Sequence, residues 1–413
     1  MLNTSFHYLM NSLHVDSVAV REIVAQVGTP VYIYSLKRAL HNLYTIRDAF
    51  LGANIHPHLH YSVKANGNLA LLRALIGAGA GIDAVSGGEI YRALQAGASP
   101  GAIVFAGVGK TAAELRYAIE QRVGWINAEN VEECTLINDI AGGLGVRQNV
   151  SLRLNPNVAA KTIPNIATGH GGAKFGLSGD VVRDLLSRAD DYPHLQFDGI
   201  HIHIGSQLHD VAETAQAVQI AKQVIDGFPF IRTLDIGGGF PVAYQPGDPL
   251  PDPREFATAL APLVEGYTLI LEPGRSIIAD AGILITEVQY VKQQDHETFV
   301  IVDAGMTELI RPMLYDAHHE IVPIDPSTGE ECYAQVVGPV CESTDVFSRH
   351  VELRGVKRGE LLAILTAGAY GMVMASNYNA RPKPAEVVVN ADGSTWSIAR
   401  RRETYEDLIA QER

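Results

Sequence analysis

Residues 61–86, YSVKANGNLALLRALIGAGAGIDAVS, decide the fold. They open on a short apolar run that ends at Lys64. In the next segment Leu69, Leu72, Leu75 and Ile76 recur at three- and four-residue spacing, the period of an amphipathic helix. A second short run, GIDAVS, follows Gly77 and Gly79. Strand, helix and strand at this length form a βαβ unit, whose strands lie parallel and buried. Working outward, the same alternation covers residues 30 to 275. Strand-like runs end in YSVK, GIDAVS, IVFAG, VGWINA, VSLRLN, GIHIHIG, TLDIGG and LILEPG, with helical patterns such as GEIYRALQAG and VVRDLLSRADD between them. About eight such strands in roughly 250 residues match the size of a (β/α)8 barrel. Periodicity alone leaves a doubly wound sheet as the alternative.

After residue 280 the texture changes. ILITEVQYVKQ, TFVIVDAG, AQVVGPV, ELLAIL and AEVVVN are strand-like runs separated by turn residues, which predicts a mostly antiparallel β domain. The expected division is a barrel over residues 30–280 and a β domain over 281–413. Residues 1–29, with short runs and no clear helix, are assigned to the β domain. The 413 residues carry 32 basic and 46 acidic side chains, a formal charge of −14. That balance excludes nucleic acid and anionic membranes as main partners. Three irregularly spaced cysteines, Cys134, Cys332 and Cys341, give neither a disulfide framework nor a thiolate metal site. MLNTSFHYLMNSLHVDSV lacks the pattern of a signal peptide, and LLAILTAGAYGMVMAS is too short and too broken to span a membrane. A soluble cytoplasmic protein is expected.

In a barrel, the C-terminal strand ends line the active site. Those ends carry Lys64, Asp83, Asn155, His203, Gly237 to Gly239, Glu272 and Arg275. Each has a bland reading. Lys64 alone is a surface lysine at a strand end; in an apolar mouth it becomes a nucleophile suited to a Schiff base. The glycines of DIGGGF allow backbone N–H groups to approach a phosphate, or serve only a tight turn. In EPGR, Glu272 suits a protonated ring nitrogen and Arg275 suits an anion, unless the two simply pair at a turn. HIHIGS places His201 and His203 in alternation on a strand, as two metal ligands would be; no cluster at ligand-like spacing completes such a site, and no metal is expected. In the second domain Cys341 stands next to Glu342, Tyr370 lies in GAYGM, and Arg311 with Tyr315 forms a candidate anion grip.

Taken together, VGTPVYIYS, YSVKAN, DAVSGGE, KFG, HIHIGSQ, DIGGGFP, EPGR, RPMLYDAHHEI, GPVCES, GAYG and SNYNARPKPAEV resemble the fold-type III, pyridoxal-phosphate-dependent amino-acid decarboxylases over nearly the whole chain. The resemblance implies an alanine racemase-like (β/α)8 TIM barrel followed by a mostly antiparallel β-barrel or sandwich domain. It implies that Lys64 carries pyridoxal 5′-phosphate, with Asp83 near it. His203 would stack on the ring and Glu272 would meet the ring nitrogen. Ser206, Gly237, Gly238, Gly239, Pro273, Gly274, Arg275 and Tyr370 would surround the cofactor and its phosphate. Arg275, Arg311, Tyr315 and Tyr370 would hold the far carboxylate of the substrate, Glu342 its far ammonium, and Cys341 would supply the proton that replaces carbon dioxide. A homodimer is implied, because in this family the cysteine reaches the site from the partner subunit. A grip for both charges at the far end favours meso-diaminopimelate as substrate and L-lysine as product, the last step of lysine biosynthesis.

Three positions depart from the pattern. Thr344 replaces a usual glycine in CESTD, Thr307–Glu308 stands where an Asn–Asp pair is common, and TGHGGAKFG carries Gly171–Gly172 before KFG. They motivate the alternative of another amino acid, or a carrier-bound one, as substrate. A catalytically silent homologue that regulates an active partner is the contrasting class. Retention of Lys64, Glu272 and Cys341 argues against it.

Overall fold

The computed structural model describes residues 1–158, 169 and 174–412. Gly171 and Gly172 lie outside the described residues. The chain divides into two compact units, residues 43–241 with 249–276, and residues 1–42 with 242–248 and 277–413.

The first unit is a closed barrel of eight parallel strands, which settles the choice between barrel and open sheet. Its strands are β1 (His58–Ser62), β2 (Gly81–Ala84), β3 (Ile103–Phe105), β4 (Trp125–Ala128), β5 (Gln148–Arg153), β6 (Leu195–His201), β7 (Thr233–Asp235) and β8 (Thr268–Leu271). Each coincides with a run read from the sequence. Closure comes from β8 pairing with β1, Ile270 opposite His58. Helices alternate with the strands because their apolar stripes need the barrel's outer face. In Leu69–Gly77 the buried residues are Leu71, Leu72 and Leu75, and Asn68 caps the helix by accepting the Ala70 N–H at 3.0 Å. Burial of Ile82, Val104, Phe105, Ile126, Val150, Leu152, Ile200 and Leu234 fills the barrel wall on both sides. Each such side chain contributes about 1.5–3 kcal/mol to stability.

The second unit is built on a sheet in the order Val346–Arg354, Glu331–Val337, Glu297–Val302, Gly282–Gln294, Val31–Ser35, Ala385–Val389 and Trp396–Arg400. Most pairs are antiparallel; Glu297–Val302 with Glu331–Val337, and Val31–Ser35 with Ala385–Val389, are parallel. The division differs from the expected boundary at residue 30. Val31–Ser35 is buried at all five positions and pairs with Gly282–Gln294. An apolar run buried on both faces reads alike whichever sheet it joins. A helix, Val20–Val27, also forms where none was expected. It has no side-chain cap and is held by buried Val20 and Ile23. Among the described residues, no helix is long and apolar enough to cross a membrane.

Candidate active site

The barrel brings its chemistry to the C-terminal strand ends. Lys64 lies in a short turn, Val63–Ala65, directly after β1. The Tyr61 hydroxyl closes that turn by donating to the Asn66 carbonyl oxygen at 3.0 Å. Lys64 Nζ donates to Asp83 Oδ2 of β2 at 3.1 Å; the lysine side chain is 38% exposed and the aspartate 0%. The Ser62 hydroxyl stands between Asp83 Oδ2 at 2.7 Å and the Glu272 carbonyl oxygen at 2.9 Å. Burial, then the Glu272 charge, push the Asp83 acid upward, and Lys64 works against both.

Glu272 follows β8 and is buried. His201, the last residue of β6, places Nε2 3.3 Å from Glu272 Oε2. Asp235, the last residue of β7, is hydrogen-bonded to Glu272. Burial raises the Glu272 acid, yet His201, Lys64 and the Asp235 hydrogen bond outweigh burial and hold it below the ordinary carboxylate range. Asp235 goes the other way: burial and the Glu272 charge push it well above. Donor atoms of His201, Asp235 and Glu272 lie within 4.8 Å of one another, a spacing a metal ion also accepts. Two buried carboxyl groups this close also suit a shared proton, because burial and mutual repulsion disfavour two ionised forms.

His203 lies beyond the end of β6, so the two histidines do not continue one strand as expected. Burial, then the Lys64 charge, keep its imidazole well below the usual range, and it stays neutral. Gly237 explains its seat: φ is 67°, and a Cβ there would come 2.6 Å from His203 Nδ1. Gly238 and Gly239 are equally constrained, by the Glu272 carbonyl oxygen at 2.4 Å and by Leu208 Cδ1 at 2.5 Å. The run therefore packs backbone on backbone beside the site. Arg275 Nε donates to Ser206 Oγ at 3.0 Å, joining two predicted anion-binding residues. Pro273 accepts the Ser62 N–H at 3.2 Å, and a Cβ at Gly274 would meet Ser62 Cβ at 2.9 Å.

Sequence reasoning missed several neighbours. Arg153, at the end of β5, donates to Glu129 Oε1 at 2.7 Å and covers the Phe175 ring at 4.6 Å. Glu129 Oε2 in turn accepts the Gly176 N–H at 3.0 Å, so this buried pair holds the KFG segment. Asn155, already among the strand-end candidates, serves the same segment by donating to the Phe175 carbonyl oxygen at 3.1 Å. Arg153 and Asp235 stood in strand-end motifs already quoted, VSLRLN and DIGGGF; only their burial marks them out.

The second unit carries the remaining candidates. Arg311 is buried in Arg311–Tyr315, with Nη1 2.9 Å from His319 Nε2 and its guanidinium 4.7 Å over the Tyr244 ring. His319 Nδ1 faces the Leu365 carbonyl oxygen at 2.9 Å, which assigns the proton to Nδ1 and leaves Nε2 to accept from Arg311. Tyr315 and Tyr370 are half-buried, and Tyr370 has φ 56°. Cys341 and Glu342 are exposed. The Cys341 N–H donates to Asn379 Oδ1 at 3.1 Å. Thr344, one of the departures, donates its hydroxyl to Glu342 Oε1 at 2.8 Å. Buried Asp345 pins this loop by accepting the Met306 and Val340 N–H groups at 2.7 and 2.8 Å. Thr307 and Glu308 are both buried and bonded to each other at 2.8 Å, with Glu308 capping Gly305. That departure is absorbed into local structure.

The model of the pyridoxal-dependent decarboxylase pyridoxal-binding domain matches residues 41–279. Diaminopimelate decarboxylase of Aquifex aeolicus is 42% identical over 98% of this chain and 97% of its own length. That of Vibrio cholerae is 42% identical over 97% of this chain and 96% of its own. Among solved structures, diaminopimelate decarboxylase from Helicobacter pylori complexed with L-lysine aligns with a TM-score of 0.89 at 38% identity, covering 95% of this chain and 98% of that one. The enzyme from M. jannaschii with L-lysine aligns with a TM-score of 0.93 at 35% identity over 100% and 99%.

Proposed function

This chain belongs to the pyridoxal-dependent decarboxylases, and from that premise we propose that it removes carbon dioxide from meso-diaminopimelate and releases L-lysine, the closing step of lysine biosynthesis. One observation carries the reading. The buried set of Asp83 and Glu272 around Lys64 stands at the strand ends of a chain 42% identical, almost end to end, to a diaminopimelate decarboxylase.

The residues present fit the family's cofactor, pyridoxal 5′-phosphate. Glu272 Oε1 and Asp83 Oδ1 are buried and receive no N–H or hydroxyl hydrogen bond. An ionised carboxylate with unserved acceptor capacity suits a protonated ring nitrogen. Bound there, the cofactor supplies an electron sink for the carbanion left when carbon dioxide departs. Lys64 provides the amine that carries it, and Asp83 orients that amine. The neutral imidazole of His203 would lie on the ring face. Ser206, the backbone of Gly237 to Gly239, Pro273, Gly274, Arg275 and Tyr370 would take the phosphate end. Arg275, Arg311, Tyr315 and Tyr370 grip the far carboxylate of the substrate, and Glu342 its ammonium. Cys341 Sγ gives a proton to the carbon that lost carbon dioxide, acting as general acid.

The exposure of Cys341 and Glu342 in a single chain supports a homodimer in which this loop serves the partner subunit's barrel. Free Cys134, Cys332 and Cys341 support a reducing, cytoplasmic setting. The test is carbon dioxide release from meso-diaminopimelate, ornithine, arginine and lysine, with L-lysine quantified. Equimolar lysine and carbon dioxide from meso-diaminopimelate alone is the expected result. Comparable turnover of ornithine or arginine would overturn the substrate assignment.

A further inference from the structure

The reading above gives Asp235 no task, although it is 1% exposed and hydrogen-bonded to Glu272. Its Oδ1 accepts the Gly237 N–H at 2.9 Å, and Asn127 Nδ2 stands 3.4 Å from its Oδ2. Two buried carboxyl groups whose oxygens lie within 4.8 Å of each other strongly disfavour double ionisation, so one proton belongs to the pair. The surroundings of the two carboxyl groups decide where it rests. His201 and Lys64 act on Glu272, whereas the charges acting on Asp235 are those of Glu272 and Asp83.

We propose that Asp235 is a positioning residue that keeps this proton, donating as a neutral acid to Glu272 and so holding Glu272 ionised and oriented toward the cofactor's ring nitrogen. The proposal rests on the reading of Glu272 given above. It assigns every polar atom of Asp235: one oxygen accepts from Gly237, and the other donates to Glu272. It also makes a neutral amide an acceptable substitute. In Asp235→Asn the Oδ1 still accepts from Gly237 while Nδ2 donates to Glu272. Asn127 Oδ1 is buried without a partner, so a flip of that amide lets it accept from the new Nδ2.

The experiment compares wild type, Asp235→Asn, Asp235→Leu and Glu272→Gln as full-length holoenzymes. Three quantities are read: the dissociation constant for pyridoxal phosphate, the cofactor's absorbance as a function of pH, and the infrared carbonyl band of a protonated carboxylic acid. Asp235→Asn should keep the cofactor constant within about threefold and leave the absorbance profile unchanged, while the acid band disappears from its difference spectrum against wild type. Asp235→Leu should weaken cofactor binding about tenfold or more and shift the profile toward that of Glu272→Gln. An Asp235→Asn protein that behaves like Glu272→Gln, or retains the acid band, would overturn the proposal, as would a silent Asp235→Leu. A Glu272→Gln protein with unaltered cofactor affinity and spectrum would instead sink the reading of Glu272, while the acid band still reports which carboxyl keeps the proton. Circular dichroism of each variant separates misfolding from loss of the pair.

Discussion

At the strand ends of the barrel, Asp83, Asp235 and Glu272 come from three different strand ends and are all buried beside His201, so the charge of each carboxyl is set by its neighbours. In the β unit, Cys341, Glu342 and Thr344 sit in one short stretch and are all exposed; their placement comes from backbone bonds to Asp345 and Asn379. The difference fits the two tasks proposed for these groups. A cofactor site needs fixed, unequal protonation states, and burial provides them. A proton donor and a substrate grip have to meet a molecule that arrives and leaves, and a pinned but open loop allows that.

The largest effect is expected at the exposed end. Cys341→Ala should lower turnover by about 10²–10⁴-fold, the usual contribution of a general acid, with cofactor affinity unchanged. A loss of cofactor binding instead would erase the contrast between the two regions. Acid sensitivity probes each unit separately. Burial, working against the Glu272 charge, brings His60 of β1 down to about 4, and burial with the Arg311 charge brings His319 down to about 3. Both stay neutral when folded at pH values where the unfolded chain, with an ordinary value of 6.5, takes the proton. Stability is therefore full above about pH 6.5. It falls toward pH 4 by at most about 1.4 kcal/mol per pH unit for each histidine. Denaturant titrations of His319→Gln between pH 7 and 4 should show a flatter acid limb; an unchanged limb would contradict a buried neutral imidazole. Glu342→Gln should raise KM for meso-diaminopimelate about ten- to hundredfold with a smaller change in kcat, the scale of one charged hydrogen bond. Thr344→Val removes only the hydroxyl that orients Glu342, so KM should rise about two- to tenfold and Thr344→Ser should restore it. Equal KM values for all three would show that this hydroxyl does no positioning.

Much of this was legible in the sequence because strand ends are also motif ends. Lys64, Asp83, Asp235 and Glu272 each close a short apolar run, so the eight runs gave the barrel and most of its chemistry together. What stayed hidden depended on partners distant along the chain. Val31–Ser35 reads as a buried strand, but only its register with Gly282–Gln294 says which sheet it joins. Val346–Arg354 is absent from the runs read above; it alternates buried Val351 and Leu353 with exposed Glu352 and Arg354, so no continuous apolar run marks it. Asp235 precedes three glycines, and its role depends on Glu272, which lies 37 residues on in sequence and beside it in space. Thr344 was visible as a departure, yet its bond to Glu342 is a matter of side-chain rotamers that no pattern encodes.

The central claim is that the buried barrel set and the exposed loop act together in one decarboxylation, each loop serving the other subunit. Mixing Lys64→Ala with Cys341→Ala under conditions of proven subunit exchange tests it directly. Hybrid dimers hold one site with both groups intact, and meso-diaminopimelate turnover should return to about a quarter of wild type if exchange is statistical. Two inactive proteins that exchange subunits and still release no carbon dioxide would contradict it.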